Sequence, residues 1–215
     1  MTLSQRIILT LVRILFKFFI SWTWKIKGVD NIPSSGSVIL ISNHVNFFDP
    51  ILLMLSSTRW IHFMAKEELF HNPILGFILR WAQAYPINRR GGMKERKETI
   101  KHTQNKLQED IVLGIFPEGE RSHETKLLSA KPGAAVIAAR MDVQLLPVGI
   151  IGTEKIHGKR WPWQQPHIIL NIGRPFNLPP TDGKFTRSKM QSLNIIMMRE
   201  IAKLLPPDRQ GVYAD

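Results

Sequence analysis

Apolar residues along this chain fall into short uninterrupted runs, separated by stretches in which they recur every three or four positions. The runs are "SVILIS" (37–42), "WIHFMA" (60–65), "IVLGIFP" (111–117), "VQLLPVGI" (143–150) and "HIILNIG" (167–173), with "YPIN" (85–88) as a shorter extended piece. Runs of this length that do not alternate with polar residues read as strands buried on both faces. Helices are expected over 66–84, interrupted at Pro73, and over 92–110, 134–141 and 188–205; the last is apolar at Met190, Leu193, Met197, Ile201 and Leu204. A further helix is expected to start at Asp49-Pro50, with Asp at the N-cap and Pro at the first helical position. Strands alternating with helices predict an α/β fold, a largely parallel central sheet flanked by helices.

The first 27 residues follow another pattern. "RIILTLVRILFKFFISWTWKIK" is rich in Ile, Leu, Phe and Trp, and its charges before Asp30 are all positive: Arg6, Arg13, Lys17, Lys25 and Lys27. At about 100° per residue, Arg6, Thr10, Arg13 and Lys17 fall within roughly 60° of one another on a helix, and the rest of its surface is apolar. The longest charge-free stretch, Phe18 to Trp24, has seven residues, whereas a membrane span needs roughly 18 or more. The expected element is an N-terminal amphipathic helix lying on the membrane surface, its cationic stripe towards headgroups. Core packing or a targeting role are the other readings of the segment, although "SWTWKIKG" lacks the small residues of a cleavage site. The turn cluster "NIPSSG" (31–36) suggests a boundary between a membrane-associating segment, 1–30, and a main domain, 31–215.

Charge sharpens this picture. The chain of 215 residues carries 29 Lys and Arg against 17 Asp and Glu, a formal net charge of +12, which favours anionic partners: nucleic acid, anionic lipid or phosphorylated substrates. No helix-turn-helix, zinc-finger or RNP fingerprint accompanies the charge, so no nucleic-acid partner is expected. There is no cysteine, which excludes disulfides, thiolate metal sites and a cysteinyl acyl-enzyme. The histidines at 62, 71, 102, 123, 157 and 167 are scattered, and no metal site is expected.

The candidate chemistry begins at "SNHVNFFDP" (42–50), where His44 and Asp49 stand five positions apart between a strand and a helix. If the loop folds the carboxylate onto the imidazole, the acid fixes one ring nitrogen and the other can take a proton from a hydroxyl. Alternatively, Asp49 is only a helix cap and His44 a loop residue. "FPEGERS" (116–122) follows another strand; Gly119 permits close backbone approach and Arg121 adds charge, at either a site or a surface turn. Arg89 and Arg90 in "PINRR" are suited to phosphate or to a solvated charge pair. Lys131 in "SAKPGAA" precedes a glycine that opens a helix, a place for an anion or for a solvated lysine.

Taken in order, Asn43-His44 with Asp49, Tyr85 to Arg89, Phe116 to Ser122 and Leu146-Pro147-Val148 resemble the motif blocks of the lysophosphatidic acid acyltransferase (PlsC-like) family of glycerolipid acyltransferases. The resemblance implies transfer of a fatty acyl group from acyl-CoA or acyl carrier protein to the free hydroxyl of 1-acylglycerol 3-phosphate, giving phosphatidic acid. It implies His44 as general base and Asp49 as its orienting acid. Arg89 would bind the acceptor phosphate, Glu118, Gly119 and Arg121 would form the acceptor pocket, Lys131 would be a further phosphate contact, and Pro147 would shape the pocket. No cofactor is expected beyond the acyl donor, which is a substrate. The expected partners are an anionic membrane surface, a lysophospholipid acceptor and acyl-CoA or acyl carrier protein. The expected location is peripheral or monotopic, on the cytoplasmic face of the inner or plasma membrane. Two positions depart from the family pattern: Asn46 stands where a hydroxyl residue is frequent, and Glu120 stands where Thr or Ser is frequent. Glu120 is expected to offset Arg121. The alternatives are an acyltransferase for another lysophospholipid or lipid alcohol, an inactive lipid-binding protein and a nucleic-acid-binding protein.

Overall fold

All five residues of the strand Val38–Ser42 are buried, and its side chains divide between two cores. Val38 and Leu40 join a cluster on one side of the sheet, Ile39 and Ile41 a cluster on the other. This is why the run shows no polar alternation: neither face meets water. The computed structural model describes residues 7–8, 10–14, 24–88, 91–122, 124–131, 133–157, 166–181 and 185–214.

Among the described residues the strands are β1 (Trp24–Lys27), β2 (Val38–Ser42), β3 (Ile61–Lys66), β4 (Tyr85–Ile87), β5 (Val112–Ile115), β6 (Gln144–Ile151) and β7 (Ile168–Ile172). They form one sheet in the order β1-β7-β6-β2-β5-β3-β4. Every pairing is parallel except β6 with β7. The α/β fold with a largely parallel sheet is therefore present. Its long helices are α1 (Asp49–Ser56), α2 (Pro73–Trp81), α3 (Met93–Leu107), α4 (Gly133–Met141) and α5 (Arg187–Ala202). Leu107 of α3, Ala134, Ala135, Ile137 and Ala138 of α4 and Leu193, Met197 and Ile201 of α5 fill the core on one face of the sheet. Leu52 to Leu55 of α1 fill the core on the other, with Trp60 and Phe63. Pro147 tolerates its place in a central strand because the β6–β7 ladder runs from Val148 to Ile151 and stops short of it.

The structure corrects three expectations. Trp24 to Lys27, read as the end of the N-terminal helix, form β1 and pair with β7 from Trp24↔Ile168 to Lys27↔Asn171. The sheet thus begins before the boundary expected at 30/31. Asp49 is the first residue of α1 and does not cap it; the N-cap position is Phe48, with no side-chain cap. Finally, Arg13 does not face outward as part of a cationic stripe. Residues 7–8 and 10–14 are helical, and Val12 packs on the α1-side core. Arg13 turns inward, its guanidinium donating to Leu55 O (3.1 Å) and Ser57 O (2.5 Å). Those carbonyls lie at the C-terminal end of α1, where a cation is favoured and unpaired acceptors need donors. What the segment presents outward is Ile7, Ile8, Leu11 and Ile14. No helix among the described residues is long and apolar enough to cross a membrane.

Arg13→Met retains the aliphatic stem and removes both hydrogen bonds, so it should lower stability by about 1–3 kcal/mol. The denaturation midpoint measures this, and a midpoint equal to that of the unaltered chain would remove the strut.

Candidate active site

Strands β2 and β5 are parallel neighbours, with Ile41 opposite Ile115. The chain therefore leaves both at the same edge, the edge at which open α/β sheets hold ligands. The loop after β2 carries His44, and the turn after β5 carries Glu118. The two are locked together through the backbone. His44 N–H donates to Glu118 Oε1 at 2.9 Å, and Ser122 N–H donates to His44 O at 2.7 Å. The turn after β5 thus holds the backbone of His44 at both its N–H and its C=O.

The side chain of His44 meets Asp49. Its Nδ1 lies 2.8 Å from Asp49 Oδ2, which also accepts from Val45 N (2.8 Å) and Asn46 N (2.7 Å). Asp49 is fully buried, whereas the His44 side chain keeps 17% exposure. A buried carboxylate facing Nδ1 places the proton there, so Nε2 carries the lone pair. The ring plane is set by Phe116, stacked on the imidazole with centroids 4.1 Å apart. Phe63 stacks on Phe116 in turn, at 5.9 Å. A Cβ at Gly114 would lie 2.5 Å from the Phe63 ring, so the glycine in β5 makes room for that ladder. Chemically, the result is an oriented, largely buried imidazole with its second nitrogen free of the acid, suited to deprotonating a hydroxyl.

The Acyltransferase family model matches residues 23–151. The chain belongs to that family. Relatives include the chloroplastic 1-acyl-sn-glycerol-3-phosphate acyltransferase LPAT1 of Arabidopsis thaliana, 33% identical over 132 residues, 61% of this chain. This chain spans only 36% of the length of that relative. The 1-acyl-sn-glycerol-3-phosphate acyltransferase of Bacillus subtilis is 33% identical over 155 residues, 71% of this chain and 73% of that protein. The crystal structure of the 1-acyl-sn-glycerophosphate (LPA) acyltransferase PlsC from Thermotoga maritima superposes with a TM-score of 0.65 at 26% identity. It covers 94% of this chain and 81% of that one. These matches agree with the motif resemblance and with the fold.

Within this member of the family the remaining predicted residues take distinct places. Glu118 is 1% exposed, and both its oxygens serve backbone donors: Oε1 takes His44 N, and Oε2 takes Leu128 N at 2.9 Å. It acts on the site as a strut for the loop that carries His44. Burial pushes its carboxyl up to about 7, against the downward pull of those two N–H groups and with a further upward push from Asp49. Gly119 has φ +74, and a Cβ there would lie 2.8 Å from Lys131 Cδ, so the lysine stem lies across it. Lys131 N–H donates to Pro117 O at 2.8 Å, tying the mouth of α4 to the same turn. Glu120 approaches Lys131, with Oε1 3.7 Å from Nζ, and it is this lysine that it offsets rather than the expected Arg121. Arg121 is exposed. Arg89 lies outside the described residues.

Two asparagines of the first block do more than sequence reasoning assigned. Asn43, 4% exposed, exchanges two hydrogen bonds with Ile150 of β6, donating to its O (2.9 Å) and accepting from its N (2.7 Å). Its amide thus continues the β2–β6 pairing past the end of the strand and anchors the residue before His44. Asn46 donates to Ile156 O at 2.8 Å and accepts from Phe48 N at 3.0 Å. A serine or threonine is too short to reproduce both, which accounts for the departure at this position. A polar residue on each side of a strand-end histidine was the available signal. Its partners lie 107 and 110 positions away, beyond what local pattern reveals.

Asp49→Asn should keep the packing, its amide oxygen taking the Oδ2 position among the three donors and its N–H₂ the unpartnered Oδ1 position, but it removes the negative charge that favours an imidazolium at His44. The expected result is a fall in kcat of about 10²–10⁴ with little change in either KM, read from steady-state kinetics. Glu118 generates a stability prediction. Between its ordinary 4.5 and about 7 the folded chain keeps a proton that the unfolded chain has released. Stability therefore falls as pH rises through that window and levels off above it. Glu118→Gln should flatten the dependence of the melting temperature on pH across this window; an unchanged slope would show that another group titrates there.

Proposed function

We propose that this chain is a 1-acylglycerol-3-phosphate O-acyltransferase that moves a fatty acyl group from acyl-CoA or acyl carrier protein to the free hydroxyl, giving phosphatidic acid. The observation that carries the reading is the 2.8 Å contact between His44 Nδ1 and the buried Asp49 carboxylate. In the proposed step, Nε2 takes the acceptor hydroxyl proton as the oxygen attacks the thioester carbonyl carbon. The tetrahedral oxyanion collapses, the C–S bond breaks, and the departing sulfur takes the proton from the imidazolium. Asp49 stabilises that cation in the interval. The chain has no cysteine, so direct transfer between two bound substrates replaces a cysteinyl intermediate. Arg89, Arg121 and Lys131 supply cationic charge for the acceptor phosphate, and Gly119 lets the backbone and Lys131 approach it. The enzyme works from the membrane surface, in peripheral or monotopic association on the cytoplasmic face of the inner or plasma membrane. The exposed Ile7, Ile8, Leu11 and Ile14 support that reading.

A second acceptor class is favoured by one observation. The Glu120 carboxylate competes with any anionic headgroup for Lys131, which favours a lysophospholipid with a larger, less anionic headgroup. An exposed ion pair of this kind contributes up to ~1 kcal/mol, so its effect on KM stays within roughly fivefold.

His44→Ala should abolish transfer while the circular-dichroism spectrum and melting temperature stay near those of the unaltered chain; substantial residual transfer would remove the assigned base. Arg89→Ala should raise KM for 1-acylglycerol 3-phosphate far more than KM for the thioester, and equal effects on both would refute the phosphate role. Assaying purified protein with a panel of lysophospholipids and both donor types separates the two acceptor readings.

A further inference from the structure

Helix α2 turns its apolar side away from the protein. Ile74, Phe77 and Ile78 follow i, i+3, i+4 spacing and are 74%, 69% and 50% exposed; Leu69, in the turn before the helix, is also exposed. An amphipathic helix on a soluble domain normally buries such a stripe, and three large apolar side chains exposed at this spacing mark an interaction site.

The orientation is fixed by construction. Gly76 is buried against the preceding turn, where a Cβ would lie 2.3 Å from Phe70 O. Asn72 caps the helix, its Oδ1 accepting from Ile74 N (3.1 Å) and Leu75 N (2.9 Å). At the other end, Trp60 and Trp81 pack edge to face at 5.5 Å, and Trp60 Nε1 donates to Ala82 O at 2.9 Å. Any rotation that buried the stripe would break these contacts. The helix carries no carboxylate, and its one charge is Arg80.

The stripe also has neighbours of its own kind. Trp81 and Val12 pack against the same core cluster, on the α1 side of the sheet. Arg13 holds Leu55 O and Ser57 O, just before the Trp60 that anchors α2. The exposed Ile7, Ile8, Leu11 and Ile14 therefore belong to the same face as Ile74, Phe77 and Ile78. Phe47, 54% exposed, stands in the loop between His44 and Asp49, and its neighbour Phe48 packs on that cluster too.

We propose that helix α2 is a second membrane-inserting element, which seats Ile74, Phe77 and Ile78 in the outer acyl layer of the leaflet that the N-terminal segment occupies. This rests on the reading that the chain works at a membrane surface. The occupant is a lipid leaflet because the net charge of +12 favours anionic headgroups around an apolar insert. A second apolar foothold also fixes rotation about the first, holding the open nitrogen of His44 at headgroup depth, where a lysolipid hydroxyl lies.

The chain has no cysteine, so Phe77→Cys gives a single labelling site for an environment-sensitive dye in the full chain. With vesicles of phosphatidylglycerol and phosphatidylcholine, dye at 77 should shift to shorter wavelength and be quenched by lipids bearing a nitroxide high on the acyl chain. Dye on Ile195→Cys, exposed on α5 over the opposite face, should do neither. The combined Ile74→Ser, Phe77→Ser and Ile78→Ser chain should partition onto these vesicles about tenfold or more weakly. It should acylate bilayer-held acceptor more slowly and keep its rate on a short-chain, water-soluble acceptor.

A chain that sediments with vesicles while dye at 77 stays silent would overturn the proposal and leave membrane association standing. A silent dye with a dimer that the triple serine variant dissociates would assign the stripe to a second copy, and overturns it equally. Failure of the unaltered chain to bind vesicles would overturn both. Loss of every acyl transfer, with the dye still quenched, would refute the proposed reaction and uphold the insertion.

Discussion

The site depends on one buried negative charge. Asp49 is fully buried, and removing a carboxylate from water carries a penalty of several kcal/mol unless donors replace the lost hydration. Oδ2 gathers three of them within 2.8 Å: His44 Nδ1, Val45 N and Asn46 N. Two of the three are backbone groups of the residues that separate the acid from the base. The spacing of five positions is thus a consequence of geometry. It places the acid at the first turn of α1, where the helix dipole favours it, and leaves a loop just long enough to wrap two N–H groups back onto it. A longer loop would release those donors, and a shorter one would not let the imidazole reach the carboxylate.

Around that charge the motif residues divide into chemistry and scaffold. In the proposed reaction, His44 and Asp49 carry the proton transfer. Glu118 and Ser122 hold the N–H and the C=O of His44, Asn43 just before it is anchored on Ile150 of β6, and Phe116 holds its ring. Glu118 shows how far such scaffolding is carried. Its burial raises the carboxyl to about 7, so at neutral pH the chain keeps a costly acid in place to fix one loop. The C-terminal segment reinforces the same turn: Leu127 N donates to Arg209 O at 3.0 Å, and Arg209 pairs with Glu154 at 2.7 Å. Residues far apart in sequence therefore support one loop.

Fold class was legible because its signal is local. β2 and β6 are apolar runs with no alternation, and each divides its side chains between two cores; both properties follow from burial on two faces. The pairing of His44 with Asp49 was legible through the motif, since the spacing alone fits a capped helix equally well. What the sequence hid was long-range or oppositely directed. Trp24 to Lys27 continue an apolar, cationic stretch and yet form an edge strand, because β7 offers a parallel partner that no local pattern announces. Arg13 follows the helical stripe of its cationic neighbours and yet turns inward, because the end of α1 presents carbonyls. Glu120 stands beside Arg121 in sequence but finds Lys131, whose stem crosses Gly119. In each case a partner distant in sequence, or a turn in the chain, decided between options that composition left equal.

The two faces of the sheet are built differently, and the difference bears on where the proposed reaction would take place. One face is covered by α3, α4 and α5, which bury their apolar residues against it. The other is covered by the eight-residue α1, the N-terminal helical residues and the end of α2, and it leaves Ile7, Leu11, Ile14, Ile74, Phe77 and Ile78 outward. A domain with no use for that surface gains stability by burying such side chains, at about 25 cal/mol for each Å² removed from water. Gly76, Asn72 and Trp60 instead hold α2 with its stripe exposed. The loop carrying His44 and Asp49 packs Phe48 on this same side. The arrangement that orients His44 and the arrangement that keeps the apolar side chains outward thus share one core, to which Leu52 to Leu55 of α1 contribute.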